Sequence, residues 1–304
     1  MRVAITGSSG MIGTALLAAM RERGDDVVRF VRPDSSVDGD AVVRWDPSNG
    51  LVDESDLQKI GGLDAVVHLA GAGIADKRWS ANRKREILES RTRSTALLVS
   101  AISALPSGCA MLASGSAIGY YGSRGDEVLD ESSGPGHDFL ANVCVQWEEA
   151  AREAAGSGTS VALLRTGIVM SSRGGALKKQ LPLFRWGLGG PLSSGRQWLS
   201  PISLRDETRA ILWILDHGVD GPVNLTAPSP TTNADFTRSL ARQLKRPAIA
   251  RVPGVALKVV LGAQLADDAV LASQRVMPSR LLESGFRFDQ ADVDAILRWA
   301  LLEE

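Results

Sequence analysis

Cysteine is scarce. The 304-residue chain has two, Cys109 and Cys144, far apart, which excludes a disulfide framework. Histidine is nearly as rare, at His68, His137 and His217, so no metal site is expected. Tyrosine is confined to the neighbours Tyr120 and Tyr121. No apolar run is long enough to span a bilayer. The N-terminus turns glycine-rich before a signal-peptide core can form. A reducing, cytoplasmic location is therefore expected. A surplus of one charge is also missing: 34 Lys+Arg against 35 Asp+Glu leave a formal net charge of -1. Such a total gives no electrostatic footprint for nucleic acid and no polybasic anchor for a membrane. Neither partner is expected.

What remains is an ordinary soluble composition, 44% hydrophobic and 23% charged. The length suits one large α/β domain, or a domain with a smaller lobe. Short apolar runs recur at Val3–Thr6, Val27–Val31, Ala41–Arg44, Ala65–Leu69, Ala110–Ser114 and Val161–Arg165. Amphipathic stretches lie between them at Met11–Arg23, Arg83–Ala104 and Leu140–Ala155. Strands alternating with helices predict a Rossmann-type α/β fold, a doubly wound parallel sheet spanning residues 1–170. After a glycine-rich stretch, residues 171–304 read as a smaller, mostly helical substrate lobe. Its predicted helices are Glu207–His217, Ala234–Leu244, Val255–Leu265 and Gln290–Leu302, with Val223–Leu225 as a returning strand. Asp206 is expected to cap the first of these helices.

The motif with most chemistry is Thr6-Gly7-Ser8-Ser9-Gly10-Met11-Ile12-Gly13. It follows the first strand and opens the first helix with GxxGxxG spacing. Gly7 permits a tight turn, Gly10 a close approach of backbone to a pyrophosphate, and Gly13 close helix–strand packing. The helix N-terminus offers free N–H groups and partial positive charge to phosphate. Gly7, Ser9, Gly10, Met11, Ile12 and Gly13 are therefore assigned to a dinucleotide. The second predicted strand ends at Arg32, with Arg29 nearby, where an acidic residue would bind a ribose 2′-hydroxyl. A guanidinium pairs with a 2′-phosphate, so NADP is expected rather than NAD.

Asp64-Ala65-Val66-Val67-His68-Leu69-Ala70-Gly71, taken with that loop, resembles the extended short-chain dehydrogenase/reductases. Trp45-Asp46-Pro47, Arg78-Trp79, Ser90-Arg91-Thr92, Gly119-Tyr120-Tyr121-Gly122, Trp147-Glu148 and Arg165-Thr166-Gly167 narrow the match. The chain is similar to an atypical "epimerase family" subgroup, whose C-terminal segment of unknown function would cover about 251–299. The resemblance implies that Leu69, Ala70 and Gly71 line the cofactor and that Glu86 and Arg91 face it. A surface ion pair of Glu86 with Arg83 or Arg85 is the competing reading. Typical members use Ser, Tyr and Lys, the last two as YxxxK. Anchored on Trp147-Glu148, those two positions fall on Leu140 and Cys144. Leucine carries no proton and a thiol is no ammonium, so the usual pair is missing. Ser116, Tyr121 and Cys144 remain as catalytic candidates, and His137 as a titratable group ahead of the active-site helix.

Three readings stay open: an NADP-dependent oxidoreductase with an unknown small-molecule substrate, an NADPH-binding sensor or interaction protein, and a nucleotide-sugar epimerase. In the last, Arg165, Arg173, Arg185 and Arg196 are candidates for a diphosphate. The resemblance also implies a homodimer through the two long helices after the fourth and fifth strands, here the 83–104 helix and that of Trp147, although a buried helix pair reads the same.

Overall fold

The computed structural model describes residues 1–35, 37, 40–302 and 304. The apolar runs form strands because covering both faces of a sheet hides them completely. They are β1 (Arg2–Thr6), β2 (Asp26–Val31), β3 (Ala41–Asp46), β4 (Leu51–Val52), β5 (Leu63–His68), β6 (Cys109–Ala117), β7 (Val128–Leu129) and β8 (Ser160–Thr166). Later come β9 (Ile168–Met170), β10 (Trp198–Leu199), β11 (Pro201–Ser203) and β12 (Gly221–Leu225). One sheet holds eight strands in the order β12-β8-β6-β5-β1-β2-β3-β4. All its pairings are parallel except β3 with β4. The order reverses between β1 and β5. Ligands of open α/β sheets bind at the strand carboxyl ends beside such a switch point.

The major helices are α1 (Met11–Glu22), α2 (Glu54–Ile60), α3 (Ala81–Ser103), α4 (Phe139–Arg152), α5 (Gly175–Arg185), α6 (Leu204–His217), α7 (Asn233–Leu244) and α8 (Gly254–Leu261). Alternation along β1 sends Val3 and Ile5 into the core under α1 and α6, and Ala4 into the core under α3. Each fully buried Val, Ile or Leu contributes about 1.5–3 kcal/mol.

The starts of α2, α3, α4, α6 and α7 are fixed by side-chain caps. Ser80 accepts from the Arg83 N–H, and Asp138 from the Ala141 N–H. For α6 the cap is Ser203, which accepts the Asp206 N–H at 2.9 Å. Asp206 is therefore not the cap. Its buried carboxylate accepts from the Asp289 and Gln290 N–H groups and tethers the C-terminal segment. α1 differs from all of these: Gly10 precedes it with no side-chain cap.

The chain after residue 170 does not stay outside the sheet layers. α6 packs on α1, with Arg23 gripping Asp216, and β12 extends the sheet beside β8. β11 pairs with β9, and β10 with Thr231–Thr232. Arg275–Val276 pair with β7, which fastens the C-terminal segment to the loop after β6. The expected helix Val255–Leu265 breaks at Gly262, whose φ of +94° is left-handed and open to glycine. Among the described residues no helix is long and apolar enough to cross a membrane.

Candidate functional site

A cleft of about 680 Å³ opens at the carboxyl ends of β1, β2 and β5. Its floor is the glycine loop. Gly7 has φ +67°, and a Cβ there would lie 2.8 Å from the Leu69 backbone. A Cβ on Gly13 would lie 2.2 Å from the Gly7 carbonyl oxygen. Neither position has room for a side chain, so the loop hugs β5. Gly10 meets only the Gly7 carbonyl. Uncapped α1 leaves its first N–H groups to a ligand. This cradle fits a pyrophosphate.

The ledge above the loop, Leu69 to Ala72, is held from beneath. The Thr6 hydroxyl accepts the Leu69 and Ala70 N–H groups at 3.1 and 3.2 Å. Its own proton goes to Nδ1 of His68 at 2.7 Å. Nε2 of His68 then donates to the Thr95 hydroxyl, which donates to the Arg91 carbonyl. That network assigns the neutral Nε2–H tautomer. Burial pushes this imidazole down to about 3, with Arg91 adding to the effect. His68 is thus a neutral strut for the ledge.

Arg91 braces the same ledge from α3. Its guanidinium donates to the carbonyls of Ala72 and Ile87 at 3.0 Å, lies against Gly71, and stands 5.0 Å over the Trp147 ring. Burial holds it below the ordinary arginine value. Glu86 lines the cleft with Glu89 and is ion-paired with Arg83 at 2.6 Å. Trp147 is buried against Gly115, so the α3–α4 pairing lies within one chain and Trp147 is closed to a second copy.

Two cations stand on the β2 side. Arg29, only 17% exposed, donates from Nε to the Ser8 hydroxyl at 3.0 Å. Arg32, 62% exposed, makes long contacts to Asp46 and Ser48 at 3.4 and 3.5 Å. Arg29 is the more firmly set of the two. Its signal in the sequence was its position on the strand one turn of alternation before the end, pointing back to the loop.

The carboxyl end of β6 is organised differently. Ser116 donates to Glu148 Oε1 at 2.8 Å. Arg165 grips the same carboxylate with Nε and Nη2 at 2.8 and 3.0 Å, and Arg152 adds 2.9 Å. Glu148 and Arg165 are both buried. Arg165 also lies 3.5 Å from the Tyr120 ring centre and donates to the Tyr121 hydroxyl, which donates to Asn224 at 2.7 Å. Burial outweighs the Arg165 charge and pushes the Tyr121 phenol up to about 12. Cys144 is buried beside Leu140, its thiol pushed up to about 12 by burial and directed at the Ala117 carbonyl. The structure thus brings Ser116 and Tyr121 into one buried network, with Cys144 beside Ser116 and Glu148 as a neutral thiol. Arg165 is committed to that network and is not free for a diphosphate. Arg173 reaches the Glu304 carbonyl instead, and Arg185 lines an outer groove. His137 is exposed beside a separate hollow with Asp138 and Asp268.

Glu207 was not legible as a site residue. It sits in α6 with no exposed surface, accepts from the Thr166 hydroxyl at 2.8 Å, and has an unpartnered Oε2. Burial pushes it up to about 8. Among the described residues no group of His, Cys, Asp and Glu is placed to hold a metal.

Comparison with known proteins agrees with this geometry. Residues 3–226 match the model of the NAD dependent epimerase/dehydratase family, and residues 252–300 match a domain of unknown function, DUF1731. The chain is 44% identical over 301 residues to the epimerase family protein Mb2239 of Mycobacterium bovis, covering 98% of this chain and 97% of that one. It is 33% identical over 302 residues to human epimerase family protein SDR39U1, covering 98% and 99%. A crystal structure of human SDR39U1 isoform 2 with NADPH matches with a TM-score of 0.88 at 32% identity over 100% of both chains. The likeness spans the loop, the sheet and the C-terminal segment together: this chain belongs to the NAD-dependent epimerase/dehydratase family, in the branch that carries DUF1731 at its C-terminal end.

Proposed function

We propose that this chain is an NADPH-binding, oxidoreductase-like protein acting on a small molecule without the tyrosine–lysine pair. The observation that carries the reading is the wall at the end of β2, where Arg29 and Arg32 line the cleft and their neighbours Asp40 and Asp46 stand only at 3.7 and 3.4 Å from them. The human relative crystallised with NADPH supports it. When bound, the cofactor would supply a hydride.

This chain's own residues divide the work. N–H groups of Gly10, Met11, Ile12 and Gly13, with Gly7 and Ser9, take the pyrophosphate. Arg29, set by Ser8, and Arg32, leaving its long contacts, take the 2′-phosphate. Leu69, Ala70 and Gly71 form the floor, on a ledge that Thr6 and Arg91 hold still. Glu86 sits on the α3 wall.

Among the described residues no proton donor stands ready at the end of β6. Ser116 gives its proton to Glu148, and Tyr121 and Cys144 are neutral at physiological pH and tied to Asn224 and Ala117. An acceptor that needs no strong acid, taking its proton from solvent, fits this edge. The same closure favours a second reading, a protein that binds NADPH without turning it over. A nucleotide-sugar epimerase fits less well, since it needs a base at the sugar hydroxyl and Arg165 is already committed.

The test is NADPH oxidation against a panel of aldehydes, ketones and quinones, with Tyr121→Phe and Cys144→Ala beside the native protein. Turnover that survives Cys144→Ala supports the oxidoreductase reading. Tight NADPH binding with no oxidation by any acceptor supports the binding protein instead.

A further inference from the structure

The net charge of -1 hides a segregation. Residues 173–205 and 236–266 together carry twelve Lys or Arg and no Asp or Glu. The rest of the chain is left with 22 cations against 35 anions. The fold puts the two basic segments side by side. Leu192 bridges to Val252, the Ser193 N–H donates to the Val252 carbonyl at 2.8 Å, and Gly187 lies against Pro247.

The same joined segments hold a run of exposed apolar side chains. Trp186 is 82% exposed and Ile249 87%, and Leu188, Val255, Val259 and Val260 are all largely exposed. α8 has no buried residue at all. It is fastened by its backbone and its lysine, with Arg78 donating to the Val259 carbonyl and Lys258 paired with Asp267. Continuous with this patch, through Arg185-Trp186 and Leu244-Lys245, runs a groove of about 460 Å³ lined by Arg185, Arg242 and Arg298 with Leu244, Leu301 and Leu302. Asp294 in that groove is paired with Arg242.

A stable globular surface gains nothing from six exposed apolar side chains unless something covers them. Protein interfaces bury their apolar residues in complementary pockets and are depleted in lysine. On this face the apolar tips alternate with cations, Trp186 following Arg185 and Val259 following Lys258. That pattern matches a surface lying on a bilayer, where aliphatic tips enter the acyl boundary and Lys and Arg meet headgroup phosphates. We propose that the face formed by α8, the 245–253 segment with Arg246 and Arg251, the 186–193 loop and the Arg185–Arg242–Arg298 groove docks peripherally on an anionic lipid membrane. The expectation of no membrane partner rested on total charge, and the total cannot register a one-sided distribution. The proposal does not depend on the cofactor reading.

The test is co-sedimentation of the full chain with vesicles of equal parts phosphatidylcholine and phosphatidylglycerol, and with phosphatidylcholine alone. Two exposed double variants go with it, Ile249→Ser with Val259→Ser, and Arg246→Glu with Arg251→Glu. Unchanged thermal melting and NADPH titration would show that each still folds. Binding to the anionic vesicles alone is expected, weakened by salt. A headgroup cation is worth roughly fivefold in partition, so the charge variant should lose at least about twentyfold. The apolar variant should lose a comparable factor. No binding to anionic vesicles, equal binding to both compositions, or binding indifferent to the apolar variant would each overturn the proposal. So would a concentration-dependent dimer in sedimentation velocity that the apolar variant abolishes, since the face would then belong to a second copy.

Discussion

The two ends of one sheet edge use their polar side chains in opposite ways. At the β1–β2 end, α1 has no side-chain cap, Arg32 is only loosely held, and the cleft is open. At the β6–β8 end, Ser116, Tyr121, Glu148 and Arg165 are joined in one buried network. The first end keeps donors available, at some cost in local stability. The second satisfies them internally. The open end is arranged to receive a ligand, and the closed end spends its polar groups on one another.

The sharpest way to break that contrast is to break the network. Glu148→Ala leaves Arg165 buried without its partner. Unfolding in urea should show a loss of about 3–5 kcal/mol. A loss below about 1 kcal/mol would mean that the closed end is not held by this pair.

Gly13→Ala attacks the open end. Its Cβ would meet the Gly7 carbonyl at 2.2 Å, so the loop must move. Stability should fall by about 1–3 kcal/mol, and NADPH binding by calorimetry should be lost. Normal binding would show that the loop is more forgiving than its packing implies.

Glu207 offers a pH test. Native Glu207 keeps its proton up to about 8, against an ordinary value of 4.5. The unfolded chain releases that proton near its ordinary value. Between these pH values the native state binds more protons, so its contribution to stability falls as pH rises and then levels off. Glu207→Gln mimics the neutral acid and escapes this loss. It should melt much like the native protein near pH 4 and be more stable by roughly 4 kcal/mol near pH 8. Parallel stability profiles would contradict the shift.

The smallest effect belongs to Cys144→Ala, a buried thiol behaving as a small apolar group. It should cost about 1 kcal/mol in thermal melting and leave NADPH affinity unchanged.

Much of the open end was legible because its signals are local. The glycines of the loop, the strand before it and Arg32 after β2 all fall within the first βαβ unit. The closed end was not, because Ser116, Glu148, Arg165 and Asn224 are brought together from across the chain. Trp147-Glu148 marked the place without showing that Glu148 binds inward. Glu207 reads as one more charge on an amphipathic helix until the Thr166 contact shows which face it occupies. Ser203 outcompeted Asp206 as cap because the helix starts three residues earlier than its apolar period suggests.

The central claim is that cations at the end of β2 select a 2′-phosphate. Calorimetric titration of NADPH and NADH into the native protein and into Arg29→Ala with Arg32→Ala tests it directly. The account predicts tighter binding of NADPH than NADH, with the preference lost in the double variant and NADH affinity little changed. Two charged contacts of this kind are worth about 3 kcal/mol or more. Equal affinity for both cofactors in the native protein, or a preference that survives both substitutions, would contradict it.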